Sequence, residues 1–170
     1  MTAPPDSAPL SPLLDGRFSG RVAFAALVTN AFATAAEQGW SSITVCDADF
    51  ADWPLGDRAV AESLNRWAKS GRRFTMLARD YGEVQRRHAR FVTWRRTWAH
   101  LVDCRSSAAT PVDDMPSAML GPGWVFERLS VAQGDGIAGP EPIRRVALRE
   151  RVNERLLKST PAFPASTLGL

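Results

Sequence analysis

Apolar positions along the chain switch between helical and strand spacing. From Phe24 to Ala35 they recur every three or four residues, which predicts a helix over residues 20–39. Residues 41–46 and 73–78 are short runs with β-branched or large apolar side chains, and they predict two strands. Between these strands, Asp57 is a suitable N-cap for a helix that ends before Gly71.

The alternation continues through the middle of the chain. A third helix is predicted to open at Asp80 with a capping-box spacing to Glu83, and residues 100–104 predict a third strand. Strands separated by helical connections favour a right-handed parallel βαβαβ unit. Later segments predict a hairpin around Gly-Pro-Gly, a loop and a last helix, at residues 117–131, 133–142 and 143–159. We therefore expect an α/β fold: a mixed sheet with a parallel βαβαβ core plus a β-hairpin, and helices on both faces.

Chain length and composition indicate one globular domain. The 170 residues suit a single domain, for which we expect boundaries at 18–160. Residues 1–17 are rich in proline and small polar residues and predict a disordered leader, and residues 161–170 form a C-terminal tail. We find neither a signal peptide nor an apolar stretch long enough to span a bilayer, so the expected location is the cytoplasm.

The charge composition changes this picture little. The chain has 21 Lys+Arg and 18 Asp+Glu, a net charge of +3, and all the basic residues except Lys69 and Lys158 are arginine. Arginine suits forked recognition of phosphate, but a GC-rich genome produces the same bias. A net charge of +3 does not by itself indicate a nucleic-acid partner. The few Cys and His residues are far apart, so we expect no metal site and no cofactor.

The sharpest local motif is acidic and follows the first predicted strand. Asp47 and Asp49 stand where α/β sheets bind ligands, at the carboxyl ends of strands. The short motif V-C-D-A-D resembles the haloacid-dehalogenase phosphohydrolases, which implies a Mg²⁺-dependent phosphohydrolase as one alternative. The other interpretation is an acidic loop whose carboxylates cap backbone N–H groups. Arg79 and Arg105 follow the next two strands and complete the set of ligand-binding candidates.

A basic region lies between Arg72 and Arg105. It contains nine arginines against three acidic residues, and Arg86, Arg87 and Arg90 lie close together on one predicted helix. Three interpretations remain open: a solvated helix face, a contact surface for a protein or anionic ligand, and a weak nucleic-acid-binding surface.

The order of elements carries a resemblance to a known family. A strand ending D-x-D-F-x-x-W-P-L, a helix with R-R-H-x-R-F and a strand ending Cys-Arg precede the hairpin and the last helix. Over residues 20–160 this order resembles one half of the phospholipase D fold, and is similar to small bacterial proteins in which that half is degenerate. The resemblance implies a homodimer, because two halves pack together in the active relatives.

The catalytic motif of that family is absent. Its members use H-x-K-x₄-D at the hairpin, and neither His88 nor His100 is followed by lysine two residues later. No residue of this chain can therefore be assigned a catalytic role from the resemblance. Sequence reasoning thus predicts a non-catalytic binding or assembly module whose ligand or protein partner is unspecified, with no expectation of nucleic acid as the main partner.

Overall fold

The computed structural model describes residues 10–166, which form one mixed sheet and five helices. The helices are α1 (Arg21–Gln38), α2 (Arg58–Ala68), α3 (Gly82–Arg87), α4 (Ala89–Thr97) and α5 (Pro142–Leu157). The strands are β1 (Gly16–Phe18), β2 (Ser42–Cys46), β3 (Arg73–Ala78), β4 (Val102–Ser106), β5 (Ala118–Leu120), β6 (Val125–Ser130), β7 (Asp135–Gly139) and β8 (Thr160–Pro161).

The sheet confirms the predicted α/β architecture. Its eight strands lie in the order β1-β7-β6-β5-β2-β3-β4-β8. Strands β2, β3 and β4 are parallel, and their connections through α2 and through α3 and α4 form the predicted βαβαβ core. Strands β5 and β6 are the predicted antiparallel hairpin, and β5 pairs antiparallel with β2. The parallel strands thus define two edges, a carboxyl edge where they end and an amino edge where they begin.

Alternation along the strands separates two apolar cores. In β3, Phe74 and Met76 belong to the larger core, which also contains buried residues of α1, α2 and α4. Leu77 belongs to a smaller core with Leu148 and Val152 of α5. Helix α5 is therefore on the opposite face of the sheet, and helices cover both faces as predicted.

Strand β7 differs from the sequence prediction, which assigned residues 133–142 to a loop. Glycine is needed in this strand because atoms of the neighbouring strands lie where a side chain would be. A Cβ on Gly136 would lie 2.3 Å from the carbonyl oxygen of Glu127 and 2.4 Å from the ring of Phe18. Glycine has a low propensity for strands, but the close packing of β1 and β6 requires it at position 136.

The third predicted helix is divided into α3 and α4 at His88, whose φ and ψ are −121° and 58°. The ring of His88 is buried, with its Nε2 2.8 Å from the carbonyl oxygen of Phe50. The expected side-chain caps also differ: Asp57 makes no cap hydrogen bond, and Asp80 accepts from the N–H of Gly82 at 3.0 Å.

The two chain ends extend the sheet. Residues 1–9 of the predicted leader and residues 167–170 of the predicted tail lie outside the described residues. At residues 10–18 the chain packs Leu13 and Leu14 against the larger core and then forms β1. Beyond β8, Phe163 stacks on Tyr81 with ring centroids 5.1 Å apart. No helix among residues 10–166 has the length and apolar character needed to cross a membrane.

Candidate nucleic-acid interface

Asp47, at the carboxyl edge, is fully engaged inside the protein. Its exposure is 2%, and its Oδ1 accepts a hydrogen bond from Arg128 Nη2 at 2.9 Å. The other oxygen, Oδ2, accepts from the backbone N–H groups of Asp49 at 3.2 Å and Phe50 at 2.8 Å. Both oxygens of this carboxylate therefore stabilise the loop after β2.

Arg128 is the partner that sequence reasoning missed. Its side chain is 0% exposed, and Nη1 and Nη2 donate to the two oxygens of Asp52 at 2.5 and 3.1 Å. Its Nε donates to Ser117 Oγ at 2.8 Å, and its guanidinium lies 4.0 Å from the ring centroid of Phe24. One cation between two carboxylates satisfies the charge that the acidic motif brings into the interior.

Asp49 does not join Asp47 in a metal-binding pair. Its Oδ1 accepts from the N–H of Ala51 at 2.9 Å, as in a turn capped by an aspartate. Among residues 10–166 there is no group of three or more His, Cys, Asp and Glu side chains that could hold a metal ion. These contacts support the capping interpretation of the acidic motif and argue against a nucleophile and an acid–base pair at this loop.

The other two ligand-binding candidates also make internal contacts. Arg79 Nε donates to the carbonyl oxygen of Thr110 at 2.7 Å. Arg105 donates from Nε to Ser159 Oγ at 2.7 Å and from Nη2 to the carbonyl oxygen of Ser159 at 2.9 Å, which fixes the chain before β8. The structure does not gather the four predicted ligand-binding residues into one pocket; Arg105 lines a groove beside α5 that contains none of the other three.

The basic surface predicted on the third helix is partly neutralised. Arg86 and Arg87 both pair with Glu83, the latter at 2.5 Å. The hydrogen bond from Arg86 holds the pKa of the Glu83 carboxyl below its ordinary value. Arg90 Nη1 donates to the carbonyl oxygen of Gly56 at 2.8 Å. These three arginines stay at the surface, but each has a local acceptor.

A second set of cations lies at the amino edge and has few acceptors. Helices α2 and α4 are the crossover connections into β3 and β4, so the ends of both helices arrive at the edge where these parallel strands begin. Besides the buried Arg95 in the last turn of α4, five exposed cations lie there; they are Arg66, Lys69, Arg72, Arg73 and Arg96. Among residues 10–166, one member of this set has a carboxylate partner: Arg73 lies 3.4 Å from Asp103. We call these five residues the basic edge.

The backbone that carries the basic edge is rigidly packed. Trp67 is 0% exposed, and its Nε1 donates to the carbonyl oxygen of Trp40 at 2.6 Å. The N–H of Arg72 donates to the carbonyl oxygen of Ser41 at 2.9 Å. A Cβ on Gly71 would lie 2.4 Å from the Trp67 ring, so the turn between α2 and β3 is fixed. The cations therefore project from an ordered surface.

Two aromatic rings accompany these cations. Trp98, which caps α4, is partly exposed, and its Nε1 donates to Asn65 Oδ1 at 3.2 Å. The exposed ring of His100 lies 6.2 Å from it. In contrast, Trp94 is 2% exposed and belongs to the core. One accessible pair of aromatic rings, Trp98 and His100, thus lies beside the basic edge.

Comparison with known proteins shows a similarity of fold and no match of sequence. The sequence matches no protein-family model. It also matches no curated protein sequence. The fold is similar to that of TrmBL2, an archaeal chromatin protein whose structure shows a novel mode of DNA binding. The TM-score is 0.61 at 12% sequence identity, and the match covers 92% of this chain and 56% of TrmBL2. This chain thus spans little more than half of TrmBL2, and the likeness establishes a shared fold.

This comparison corrects three expectations. The resemblance to a bacterial phospholipase D-like half is wrong, because a similar solved fold is that of an archaeal DNA-binding protein. The assignment as a phospholipase-D-like binding or assembly module is wrong for the same reason. The homodimer was inferred from that resemblance; the comparison does not test it, and it stays a prediction. The low expectation of a nucleic-acid partner is also wrong, because a protein with a similar fold binds DNA.

Proposed function

We propose that this chain binds DNA through the basic edge. The observation that carries the proposal is the set of five exposed cations that the ends of α2 and α4 and the start of β3 bring to one edge of the sheet. Acidic residues at this edge are fewer: Glu37 near the end of α1 and Asp103 in β4. The DNA-binding activity of a protein with a similar fold supports the same conclusion.

The chemistry of the basic edge suits the phosphate backbone better than base edges. Cations that neutralise phosphates release condensed counterions, and this term is independent of sequence. Helices α2 and α4 present their C-terminal ends here, so backbone N–H groups are not available to phosphate as they are at a helix N-terminus. The contacts therefore come from long side chains, and we expect binding with little sequence preference.

A charge-neutralising variant tests the proposal. Arg66→Gln, Lys69→Gln, Arg72→Gln and Arg96→Gln together remove four cations and keep polar side chains of moderate length. We expect the affinity for a labelled duplex at about 50 mM salt to fall by at least about a thousandfold, because each lost phosphate contact lowers the electrostatic term. Fluorescence anisotropy measures this change in affinity. Arg73 is left intact in this variant because it also lines the groove beside α5.

The carboxyl edge supplies a matched control with the same change in charge. Arg58→Gln, Arg86→Gln, Arg87→Gln and Arg90→Gln remove four exposed cations that have local acceptors. We expect this variant to bind duplex DNA within about twofold to threefold of the original protein, since long-range charge alone changes affinity modestly. Equal losses in the two variants, or no binding by the original protein at low salt, would contradict the proposal.

A further inference from the structure

A groove of about 540 Å³ lies beside α5 on the sheet face opposite α1 and α2. Helix α5 covers the centre of this face, where the side chains beneath it are apolar. Strands β3 and β4 extend beyond the helix, so their outward side chains line the groove. The volume is within the range of about 300–1,000 Å³ that is typical of small-molecule sites.

The floor of the groove is polar and ordered. Thr44 and Thr75 are register partners on the parallel strands β2 and β3, and Asp103 is the partner of Thr75 on β4. The two threonines are partly buried. Two residues further along each strand, on the same face of the sheet, Cys46 and Leu77 belong to the smaller apolar core. The hydroxyl groups of these two threonines line the groove and can both donate and accept hydrogen bonds.

Two arginines share one carboxylate at the side of the groove. Asp103 lies 3.4 Å from Arg73 and 3.8 Å from Arg105. The side chain of Arg105 is 26% exposed and is held in place by Ser159, whereas that of Arg73 is 68% exposed. Two guanidinium groups against one carboxylate leave a positive excess. The donors that a phosphate can engage are Nη1 of Arg105, which makes no hydrogen bond within the described residues, and the nitrogens of Arg73 other than the Nη2 that contacts Asp103.

The opposite wall comes from α5 and is mixed in character. Leu157 is 88% exposed at the end of the helix, and Leu156 beside it is partly buried. Asn153 lies one helical turn before Leu157 and adds an amide to the same wall. An apolar surface next to an amide and opposite a cationic pair matches a molecule with a flat apolar part and an anionic end.

We propose that this groove binds a free mononucleotide. Its phosphate contacts Arg73 and Arg105, its sugar hydroxyls contact Thr44 and Thr75, and its base covers Leu157. The groove lies on the face of the sheet, so this site is separate from the basic edge except for Arg73, which belongs to both. The inference therefore does not depend on DNA binding.

Calorimetry with AMP, GMP, CMP and UMP tests the proposal. We expect at least one of them to bind at a 1:1 ratio with a dissociation constant of about 1 mM or lower. Arg105→Gln is expected to weaken binding at least tenfold, because it removes a charged donor to phosphate. Because Arg105 also anchors the chain before β8, Thr75→Val is the second variant; it keeps the side-chain shape and is expected to weaken binding about fivefold.

Three controls make the result decisive. Thr93→Val, on the exposed side of α4, is expected to leave nucleotide affinity unchanged. The Arg66, Lys69, Arg72 and Arg96 variant is expected to bind nucleotide as the original protein does, and Thr75→Val is expected to bind duplex DNA normally. No binding of any of the four nucleotides, unchanged affinity in Thr75→Val, or equal binding of the phosphate-free nucleosides would overturn the inference. Loss of nucleotide binding in the basic-edge variant would also overturn it, by placing the nucleotide at the basic edge.

Discussion

The two edges of the parallel strands use charge in different ways. At the carboxyl edge the ionic groups are paired within the chain: Arg128 lies between Asp47 and Asp52, and Glu83 accepts from Arg86 and Arg87. At the amino edge, Arg73 is the one residue of the basic edge that has a carboxylate partner among residues 10–166. The two edges thus differ in whether their charged side chains are paired within the chain, because both edges contain basic and acidic residues.

This difference explains why the usual location of ligand sites in α/β sheets does not identify the interface here. Ligands generally bind at the carboxyl ends of the strands because loops and helix N-termini converge there. In this chain the loop after β2 uses its carboxylates for its own backbone, and Arg79 and Arg105 bind carbonyl groups. Exposed cations that lack a carboxylate partner among residues 10–166 cluster at the opposite edge.

The largest effect is expected when the ion pairs at the carboxyl edge are broken. Arg128→Ala leaves Asp47 buried without its cation, so we expect the free energy of unfolding to fall by about 3–5 kcal/mol. Urea denaturation followed by tryptophan fluorescence measures the change. Arg58→Ala, which removes an exposed pair with Glu62 at the same edge, is the control and is expected to cost less than about 1 kcal/mol. Similar losses in the two variants would mean that the buried ion pair between Arg128 and Asp47 contributes no more than an exposed ion pair.

A smaller effect is expected where the amino edge is held rigid. Gly71→Ala places a methyl group 2.4 Å from the buried Trp67 ring, and we expect a loss of about 1–3 kcal/mol from overpacking. Gly123→Ala meets no atom within 4 Å and is the matched control. Thermal unfolding of both variants compares them. If Gly71→Ala were neutral, the turn that carries Lys69 and Arg72 would not be fixed by the tryptophan.

An effect that is absent at neutral pH and grows above pH 9 tests how well the interior behind the carboxyl edge excludes water. Burial, and next the charge of Asp47, raises the pKa of the Cys46 thiol, and burial raises the pKa of Cys104 to about 12. Both thiols are neutral when folded but ionise near pH 9 when unfolded, so their stabilising contribution is present below pH 9 and is lost as pH rises. The loss is at most about 1.4 kcal/mol per pH unit for each thiol.

Equilibrium unfolding between pH 8 and 11 measures this slope, with Cys46→Ala/Cys104→Ala as the comparison. We expect a shallower decline in the double variant. A residual slope is expected from Tyr81, because burial also raises the pKa of its phenol. Identical slopes in the two proteins would mean that the thiols are accessible to water in the folded state.

Local patterns were sufficient to predict the βαβαβ core and the hairpin. Each element has its own periodicity, and short connections leave few arrangements. Strand β7 was not predicted, because Gly136 lowers strand propensity while the close approach of Glu127 and Phe18 requires it. The need for glycine at this position depends on contacts between segments that are distant in sequence, and the periodicity of apolar residues does not reveal such contacts.

The candidate site was predictable only in part. In Glu127-Arg128-Leu129 the arginine has the pattern of an exposed strand residue, and its partner Asp47 is 81 positions away, so the buried cluster had no local signal. The neutralisation of Arg86 and Arg87 was foreseeable, since Glu83 precedes them by three and four positions. The basic edge follows from the predicted topology, because parallel neighbours begin at one edge, but Arg66 and Lys69 lie outside the basic region that the sequence delimited.

The salt dependence of DNA binding tests the contrast between the edges most directly. The slope of the logarithm of the association constant against the logarithm of salt concentration reports the number of phosphates neutralised, at about 0.9 for each. For the Arg66, Lys69, Arg72 and Arg96 variant we expect this slope to become shallower by about 3 to 4. For the carboxyl-edge variant at Arg58, Arg86, Arg87 and Arg90 we expect the slope of the original protein. A shallower slope in the carboxyl-edge variant, with no change in the amino-edge variant, would contradict the account.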